Sequence, residues 1–439
     1  MLKVAKFGGS SMADAVQFAK VKAIVESDPA RRVIVVSAPG KRDKEDHKVT
    51  DLLYLCSAHL KYGVSCEKIF ALIRKRYQEI ADDCGLTLDL NREFDALWKR
   101  MCAGEADQEY LASRGEYFAA RLMAEYLGYT FLDAALWLQF RFDGTVDQEA
   151  SYEALRKAAD GQRVVIPGFY GSMPDGRVVT LTRGGSDITG ALAAAALDAD
   201  VYENWTDVSG ILMADPRIVE NPKPIERATY SELRQLSYSG AQVLHEMTVF
   251  PVREKNIPLN IRNTNDPSHP GTLVSEEFHE PRNMQKGFIT GIAGKRDFSI
   301  VTISKKGMAG AVGTLRAIVE VFENNTVPIC YTPTGIDVLS LVVPTEKLAP
   351  HQYSIMDDLR SEVRPDSIKV TDNIAIIAVV GRKMAYRAGT SGKIFAALGE
   401  QGINIRMISQ GPDELNILVG VDNKDYAETI RVLYNAFVK

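Results

Sequence analysis

Short apolar, β-branched runs alternate with longer segments of helical periodicity over roughly the first 270 residues of the chain. The runs predict strands and the periodic segments predict amphipathic helices. Strands that alternate with helices typically form a mainly parallel sheet sandwiched by helices, so we expect an α/β domain. The predicted strands are 3–7, 32–37, 130–132, 163–167, 178–182 and 201–205, and the predicted helices are 14–27, 50–63, 109–127 and 187–197.

A different pattern follows a turn-rich stretch at 263–271 and occurs twice. Each copy reads strand, helix, two strands, helix, as in a ferredoxin-like βαββαβ unit. The first copy gains a closing strand at 367–370, whereas the second copy ends with the chain. We expect the strand predicted at 287–293 to complete the second copy, which would insert one repeat inside the other. The predicted elements are 298–303, 310–324, 326–331, 338–343 and 353–363 in the first copy, and 374–380, 392–401, 404–408, 415–421 and 424–437 in the second.

These two patterns predict a domain organisation with a boundary near residue 280. Residues 1–280 would form the large α/β domain, and residues 281–439 would hold the two repeats. Within that second region we predict one repeat at about 298–371 and the other at about 285–297 plus 372–439.

Composition and charge exclude several classes of function. The net charge of −5 leaves no basic surplus for a nucleic-acid backbone, so we expect no nucleic-acid partner. No apolar run reaches the ~20 residues of a membrane span, and the chain start lacks a signal-peptide pattern, so we expect a cytoplasmic protein without membrane partner. The five cysteines contain no CxxC pair, which argues against a structural zinc site or a disulfide framework.

Two glycine pairs follow predicted strands and precede predicted helices, at Lys6–Phe7–Gly8–Gly9–Ser10–Ser11 and at 180–187, TLTRGGSD. Bare backbone N–H groups at such a turn can cradle phosphate. Neither string has the glycine spacing of a Walker loop or of the dinucleotide fingerprint. A plain strand-to-helix turn is the alternative for each one alone, and their occurrence together favours an anion site.

Three charged residues near these turns have both a chemical and a structural interpretation. Arg183 offers a planar fork for a carboxylate or phosphate. Asp187 either orients Lys6, holds a metal or caps a helix. Glu116, in the string SRGE at 113–116, is most simply a first-turn acid favoured by the helix dipole.

The ordered strings KFGGSS (6–11), VVSAP (35–39), VTDLL (49–53), SRGE (113–116), TLTRGGSD (180–187), WTDVSGI (205–211), DPR (215–217) and GAQVLH (240–245) closely resemble aspartate kinases of the amino acid kinase fold. The segment GTSGKIFAALGEQGINIRMISQG (389–411) is similar to their paired ACT regulatory domains. The resemblance implies phosphoryl transfer from MgATP to the side-chain carboxylate of L-aspartate, with ATP and Mg²⁺ as cofactors, in amino-acid biosynthesis toward lysine and threonine.

The resemblance also implies a role for individual residues. Glu116 would pair with the ammonium of the substrate while Arg183 binds its α-carboxylate. The implied sets are Lys6 and Asp187 for catalysis, Ser37, Thr50, Glu116 and Arg183 for aspartate, and Lys6, Gly8, Gly9, Ser10, Thr206, Asp207 and Arg217 for ATP.

The sequence departs from the family pattern at Gln242, where lysine is frequent, at Thr182, where glycine is frequent, and at Leu212, where an aromatic residue can face the nucleotide. We interpret these as variation within an active enzyme. The alternatives are a kinase for another amino-acid carboxylate, such as glutamate, and a non-catalytic ACT sensor of amino acids.

The repeats predict regulation and self-association. Small units of this kind expose sheet edges, so we expect them to pair in a homodimer or higher homo-oligomer. The resemblance implies that segments 305–312 and 334–337 enclose an effector such as lysine or threonine, with Met308 and Asp337 as effector-binding candidates. Asp337 would pair with the effector's ammonium; an ordinary β-turn aspartate is the alternative.

Overall fold

The computed structural model describes residues 1–181, 184–241, 246–278, 289–382, 384, 387–410 and 415–438. The chain divides into two compact units, each described by itself below. The first unit is Met1–Ile211, Pro224–Tyr230 and Val243–His279, and the second is Leu212–Lys223, Ser231–Gln242 and Glu280–Lys439.

The first unit is built on an eight-stranded sheet of order β10-β12-β11-β7-β1-β2-β4-β3. Every neighbouring pair is parallel except β11 with β12. The predicted mainly parallel sheet is therefore confirmed. The strands of this sheet are β1 Lys3–Phe7, β2 Arg31–Val36, β3 Thr130–Phe131, β4 Val164–Pro167, β7 Val201–Thr206, β10 Arg227–Thr229, β11 Leu259–Asn263 and β12 Thr272–Ser275. Two separate two-stranded sheets are formed by β5 Tyr170–Ser172 with β6 Val178–Thr180 and by β8 Ile211–Leu212 with β9 Pro224–Ile225.

Helices cover both faces of this sheet, so its central strands are buried on both sides. Ala5 and Phe7 share one buried core with apolar residues of α1 to α5. Lys6 points to the opposite face, since successive side chains of a strand alternate, and there it meets α7. The helices of this unit are α1 Ala15–Glu26, α2 Val49–Lys61, α3 Glu67–Asp83, α4 Leu90–Cys102, α5 Gln108–Leu127, α6 Gln148–Ala159, α7 Gly185–Ala196 and α9 Phe250–Glu254; α8 Tyr230–Tyr238 belongs to the second unit from Ser231 onward.

The second unit contains a five-stranded antiparallel sheet of order β14-β13-β15-β17-β16. Its strands are β13 Ile289–Ser304, β14 Val338–Pro344, β15 Ser367–Gly381, β16 Ile405–Ser409 and β17 Asn416–Asp422. Its helices are α10 Thr314–Asn324, α11 Thr345–Leu348, α12 Gln352–Asp358, α13 Thr390–Glu400 and α14 Tyr426–Val438, with a π-helical turn at Leu359–Val363.

Two separate apolar cores lie against this sheet, one under α10 and α12 and the other under α13 and α14. The first half of β13, from Ile289, pairs with the end of β15, whereas its second half pairs with the start of β15 and with β14. This is the pairing that an insertion of one repeat into the other requires. Of the predicted strand 287–293, residues 287 and 288 lie outside the described residues.

The strand predicted at 326–331 is wrong. An isolated bridge joins Tyr331 to Val342 there, and the Cys330 amide donates to the Val342 carbonyl at 2.8 Å. Pro328 and Pro333 lie on either side of this bridge, and proline has no N–H to continue a strand ladder.

No helix of the described ranges is long and apolar enough to cross a membrane. Nor do the described residues contain a group of three or more His, Cys, Asp or Glu side chains that could hold a metal ion.

Candidate active site

A buried ion pair lies at the carboxyl end of the central strand. Lys6 is the fourth residue of β1 and is 7% exposed. Its Nζ lies 2.5 Å from Oδ1 of Asp187, in the first turn of α7. A single lysine is thereby fixed where a parallel sheet binds ligands, at the carboxyl ends of its strands. Of the sequence interpretations of Asp187, this contact favours the orientation of Lys6.

Two side chains of β7 hold Asp187 in place. The Asn204 amide donates to Oδ1 of Asp187 at 2.8 Å, and the Tyr202 hydroxyl donates to the backbone carbonyl of Asp187 at 2.9 Å. Both reach this face because β7 is in register with β1, with Asn204 opposite Lys6. The carboxylate therefore has a fixed orientation, which in turn fixes the Lys6 ammonium.

The turn after β1 packs directly on the turn after β2. The Gly40 amide donates to the Gly9 carbonyl at 2.8 Å, and a Cβ on Gly40 would lie 2.7 Å from the carbonyl carbon of Gly9. The Gly8 amide donates to the Trp205 carbonyl at 3.0 Å. The N–H of Gly8 is therefore already bonded within the protein. What Gly8 can offer a ligand is the absence of a Cβ, which allows the backbone to approach closely.

The string SRGE brings a carboxylate to the same edge of the sheet. Glu116 Oε1 accepts a hydrogen bond of 3.2 Å from the Ala38 amide, in the loop after β2. This approach depends on Gly115, because a Cβ there would lie 2.8 Å from the Ala38 Cβ. Glu116 is 4% exposed and lies in the middle of α5, whose first-turn acid is Glu109, so the interpretation of Glu116 as a first-turn acid is wrong.

The Glu116 carboxyl group is poorly satisfied. Burial raises its pKa to about 8, although the Ala38 hydrogen bond and the charges of Arg114 and Lys6 lower it. Its Oε2 is buried and has no hydrogen-bond partner among the described residues. Such a group is stabilised by a cationic partner, which would favour the ionised form.

Arg114 beside it is buried among aromatic rings. Its guanidinium lies 4.5 Å from the ring centre of Tyr110 and 4.4 Å from that of Tyr117. These contacts hold the cation in place by its flat face.

The remaining sequence candidates of the first unit lie at or beside this edge. The Ser37 amide donates to the Phe7 carbonyl at 3.1 Å, and Thr50 lies in the first turn of α2. Thr206 ends β7, and its hydroxyl donates to Oδ1 of the exposed Asp207 at 3.2 Å. Ser10 lies in the 3₁₀ turn Gly9–Met12.

Several predicted residues are not brought to this edge by the described structure. Thr182, Arg183 and Gln242 lie outside the described residues. Leu212 and Arg217 belong to the second unit, where the Arg217 guanidinium forms a 2.6 Å ion pair with Asp215.

The two predicted effector segments of the second unit contact each other. The Met308 amide donates to Oδ1 of Asp337 at 3.1 Å, and the Lys305 amide donates to the Asp337 carbonyl at 2.9 Å. Met308 and Asp337 are both half-buried. The β-turn interpretation of Asp337 therefore has a contact in its favour, and the carboxylate also remains accessible.

Comparison with known proteins identifies this arrangement. The amino acid kinase family model matches residues 1–263, and an ACT domain model matches residues 377–437. Aspartokinase 3 of Bacillus subtilis is 35% identical over 451 residues, which cover 99% of this chain and 98% of that protein. The chain belongs to the aspartate kinases. The family assignment and the expectation of an ATP-dependent phosphotransferase are thus confirmed.

Solved structures of aspartate kinases have the same fold over the whole chain. The Clostridium acetobutylicum aspartate kinase is 46% identical with a TM-score of 0.89, and the match covers 99% of both chains. Escherichia coli aspartokinase III in complex with aspartate and ADP is 25% identical with a TM-score of 0.79 over both full chains. The same protein in complex with lysine and aspartate gives a TM-score of 0.75.

The sequence interpretation missed the side chains that support the site. Asn204 and Tyr202 were seen only as strand residues, and Gly40 and Gly115 were not singled out for close contacts. Alternation along β7 is a signal for Asn204, since it places that residue on the same face as Tyr202. The sequence does not show that Lys6 lies on this face too, because that follows only from the register of β7 with β1.

Proposed function

We propose that this chain transfers the γ-phosphoryl group of MgATP to the side-chain carboxylate of L-aspartate, giving 4-phospho-L-aspartate. The observation that carries the proposal is the buried Lys6, held 2.5 Å from Asp187 beside the glycine turn. The aspartate and ADP complex of the E. coli relative supports the same pair of ligands. Mg²⁺ would enter bound to the phosphates of ATP.

The chemical demand of this reaction is electrostatic. An aspartate side chain with an ordinary pKa of about 3.9 is already ionised at pH 7, so the nucleophile needs no general base. The obstacle is the repulsion between a carboxylate and a polyanionic phosphate. Lys6 supplies a positive charge whose position Asp187 and Asn204 fix before the reaction, and preorganised charge of this kind stabilises a phosphoryl-transfer transition state.

The orientation of the amino acid would come from Glu116. Its unpaired Oε2 is placed to accept from the substrate's ammonium, and binding this cation would bring the raised pKa back toward its ordinary value. Arg183 is proposed to bind the α-carboxylate, Ser37 and Thr50 to contact the substrate, and Thr206 and Asp207 to contact the nucleotide. A clamp of opposite charges at the two ends of the backbone would fix the direction of the side chain.

We also propose that the second unit binds an end-product amino acid, lysine or threonine, at the turn formed by Met308 and Asp337. The lysine complex of the E. coli relative supports an effector of this class. One oxygen of Asp337 orders the turn through the Met308 amide, and the carboxylate as a whole would attract the effector's ammonium. Within this unit, residues 281–439 would then form the regulatory region that the sequence predicts after residue 280.

Exposed apolar residues beside this turn favour a homodimer. Val312 is fully exposed and Ile336 is 81% exposed, and Leu315 and Val319 lie on one face of α10 with more than a third of their surface in solvent. Contiguous exposed apolar residues on a protein of this type mark an association surface. A second copy of the chain would cover them and enclose the effector.

Hydroxylamine trapping tests the catalytic proposal, because hydroxylamine converts an acyl phosphate into a hydroxamate, which gives a coloured complex with ferric iron. The full chain is incubated with MgATP and either aspartate or glutamate. We expect ATP-dependent hydroxamate with aspartate and at least tenfold less with glutamate, because one extra methylene group in a fitted site typically changes kcat/KM by about 10-fold to 200-fold. Equal rates would make it a general acidic-amino-acid kinase, and no product with either would support a non-catalytic amino-acid sensor.

A further inference from the structure

The first unit contains a cavity on the face of the sheet opposite Lys6, lined by both charged and apolar side chains. Its volume is about 330 Å³, and it lies between α1, the end of β7 and the loop after β11. Trp205 lines it and is in register with Phe7, so both side chains leave the sheet on the face away from Lys6. This cavity is therefore distinct from the site of the Lys6–Asp187 pair.

The cavity lining is strongly electropositive. Three cationic side chains line it, Lys20, Arg31 and Arg262, and its lining includes no carboxylate. The nearby Glu203 is 1% exposed and serves several cations at once: Arg31 at 2.7 Å, Lys3 at 3.3 Å and, more distantly, Arg262 at 3.9 Å. Asp28 also accepts from Lys3 at 2.7 Å, so two carboxylates face the three cations Lys3, Arg31 and Arg262, and one positive charge is left over.

Arg262 is only partly satisfied by this arrangement, although its guanidinium also lies 4.5 Å from the ring centre of Trp205. One terminal nitrogen donates to the Pro267 carbonyl at 2.8 Å, but its Nε is buried without a hydrogen-bond partner among the described residues. Burial also lowers the pKa of the Arg262 guanidinium. Lys20 has only a neutral contact, an amide oxygen of Asn265 at 2.7 Å from its Nζ. Buried polar groups in native proteins are almost always bonded, so an unpartnered guanidinium N–H indicates a missing acceptor.

The cavity wall is directly connected to the phosphate turn of the proposed active site. Thr264 lines the cavity, its hydroxyl lies 2.7 Å from that of Ser11, and its amide donates to the Thr206 carbonyl at 2.8 Å. Trp205 accepts from the Gly8 amide through its carbonyl. A ligand that moved Thr264 or Trp205 would therefore move the turn that follows Lys6.

We propose that this cavity binds a small phosphate-bearing anion and that its occupancy changes the kinetics of the nucleotide site. A guanidinium and an ammonium are donors of the kind that bind a tetrahedral oxyanion. The volume is roughly ten times the ≈ 30 Å³ share of a water molecule, so it holds a phosphate group with a few attached carbon atoms. Binding itself does not depend on the proposed function; only the kinetic effect does.

Calorimetric titration of the full chain tests the binding. The probes are inorganic phosphate and glycerol 3-phosphate, each added with and without saturating MgADP to separate this cavity from the nucleotide site. We expect one site that persists in MgADP. A charged hydrogen bond contributes about tenfold or more in affinity, so Arg262→Gln should raise the Kd by at least that factor.

Two lysines of α1 give a milder variant and a matched control. Lys20→Gln should raise the Kd about threefold, as for a partly exposed charge. Lys22→Gln should leave it unchanged, because Lys22 does not line the cavity and its Nζ donates to the Tyr126 carbonyl instead. Tighter binding of glycerol 3-phosphate would identify a phosphomonoester as the ligand, and tighter binding of phosphate would identify the free ion.

The proposal is overturned if neither probe binds at millimolar concentration, if MgADP abolishes binding, or if Lys20→Gln and Lys22→Gln bind the probes equally. The Lys20 comparison decides the matter even if Arg262→Gln does not fold. The kinetic measurement is separate: the probe should change the KM for ATP in wild type, and the probe concentration that gives half of this change should be about threefold higher in Lys20→Gln. If the probe binds but leaves the KM for ATP unchanged, the proposed coupling between the cavity and the nucleotide site is wrong. If the enzyme has no activity at all, that result counts against the proposed function alone.

Discussion

The two regions at which substrate and effector are proposed to bind differ in how far one chain completes them. In the first unit, Lys6 is 7% exposed and its charge is matched by Asp187, which Asn204 and Tyr202 hold in turn. In the second unit, the turn of Met308 and Asp337 is half-buried and apolar side chains beside it remain in solvent. The Lys6–Asp187 pair is thus complete within a single subunit, whereas the proposed effector site would need a second copy of the chain to enclose it.

The largest effect is expected at Lys6. Lys6→Met keeps much of the side-chain volume and removes the charge, so kcat should fall by ~10²-fold or more, the usual loss on removal of one preorganised group. Steady-state hydroxamate formation measures it. Lys22→Met, which changes a lysine of α1 whose Nζ meets a backbone carbonyl, should stay near the wild-type rate. A Lys6→Met enzyme within threefold of wild type would make Lys6 a structural residue.

Glu116 should affect the amino acid more than the nucleotide. Loss of one partner of a buried charge pair costs about 2 kcal/mol or more, so Glu116→Gln should raise the KM for aspartate roughly 30-fold. The KM for ATP should change little. Glu125→Gln, near the other end of α5, is the control, because that carboxylate bonds Thr87. A parallel rise in both KM values would argue against the ammonium contact.

The pH dependence sharpens this assignment. Because burial raises the pKa of Glu116 to about 8, the ligand-free group is largely protonated at neutral pH and must ionise to bind an ammonium. The KM for aspartate should therefore fall as pH rises from about 6.5 to 8.5 in wild type. The same series with Glu116→Gln should be flat.

The effector turn is expected to affect inhibition only and not the uninhibited rate. Coupling between sites is typically ~1–3 kcal/mol, so saturating lysine or threonine should weaken substrate binding by about 5-fold to 150-fold. Asp337→Asn should remove most of this inhibition and leave the uninhibited rate unchanged. Asp357→Asn, at an exposed aspartate of α12, should be inhibited as wild type is. Inhibition that survives in Asp337→Asn would restrict Asp337 to its turn hydrogen bond.

The smallest expected effect concerns stability. The folded chain binds a proton at Glu116 more tightly than the unfolded chain, whose glutamate pKa is about 4.3. The stability that this proton confers is complete below that value and is lost as pH rises through about 8. Between pH 5.5 and 8.5, wild type should therefore lose about 3 °C more in Tm than Glu116→Gln. Equal losses in thermal denaturation would contradict the burial of an ionising carboxyl group.

Features that depend on neighbouring residues in the sequence could be predicted, whereas features that depend on the pairing of distant strands could not. Lys6 and the glycine turn were predictable because strand, turn and helix follow one another within a few residues. The role of Asn204 was not, because it depends on the register of β7 with β1 across almost two hundred residues of chain. Two strands were predicted at 287–293 and 298–303, but the structure has one continuous strand, β13, from Ile289 to Ser304. The exposed segment 295–297 between them does not end the strand and only shifts the register of its pairing with β15.

A double-mutant cycle on Lys6 and Asp187 tests the central claim most directly. If Asp187 acts by positioning the Lys6 ammonium, Asp187→Asn alone should lower the single-turnover rate of phosphoryl transfer by about 10-fold or more. In the Lys6→Met background the same change should then cost less than about threefold, because the two residues act as a unit. Losses that multiply, with the double variant far below Lys6→Met, would contradict the account and give Asp187 a separate role in the reaction.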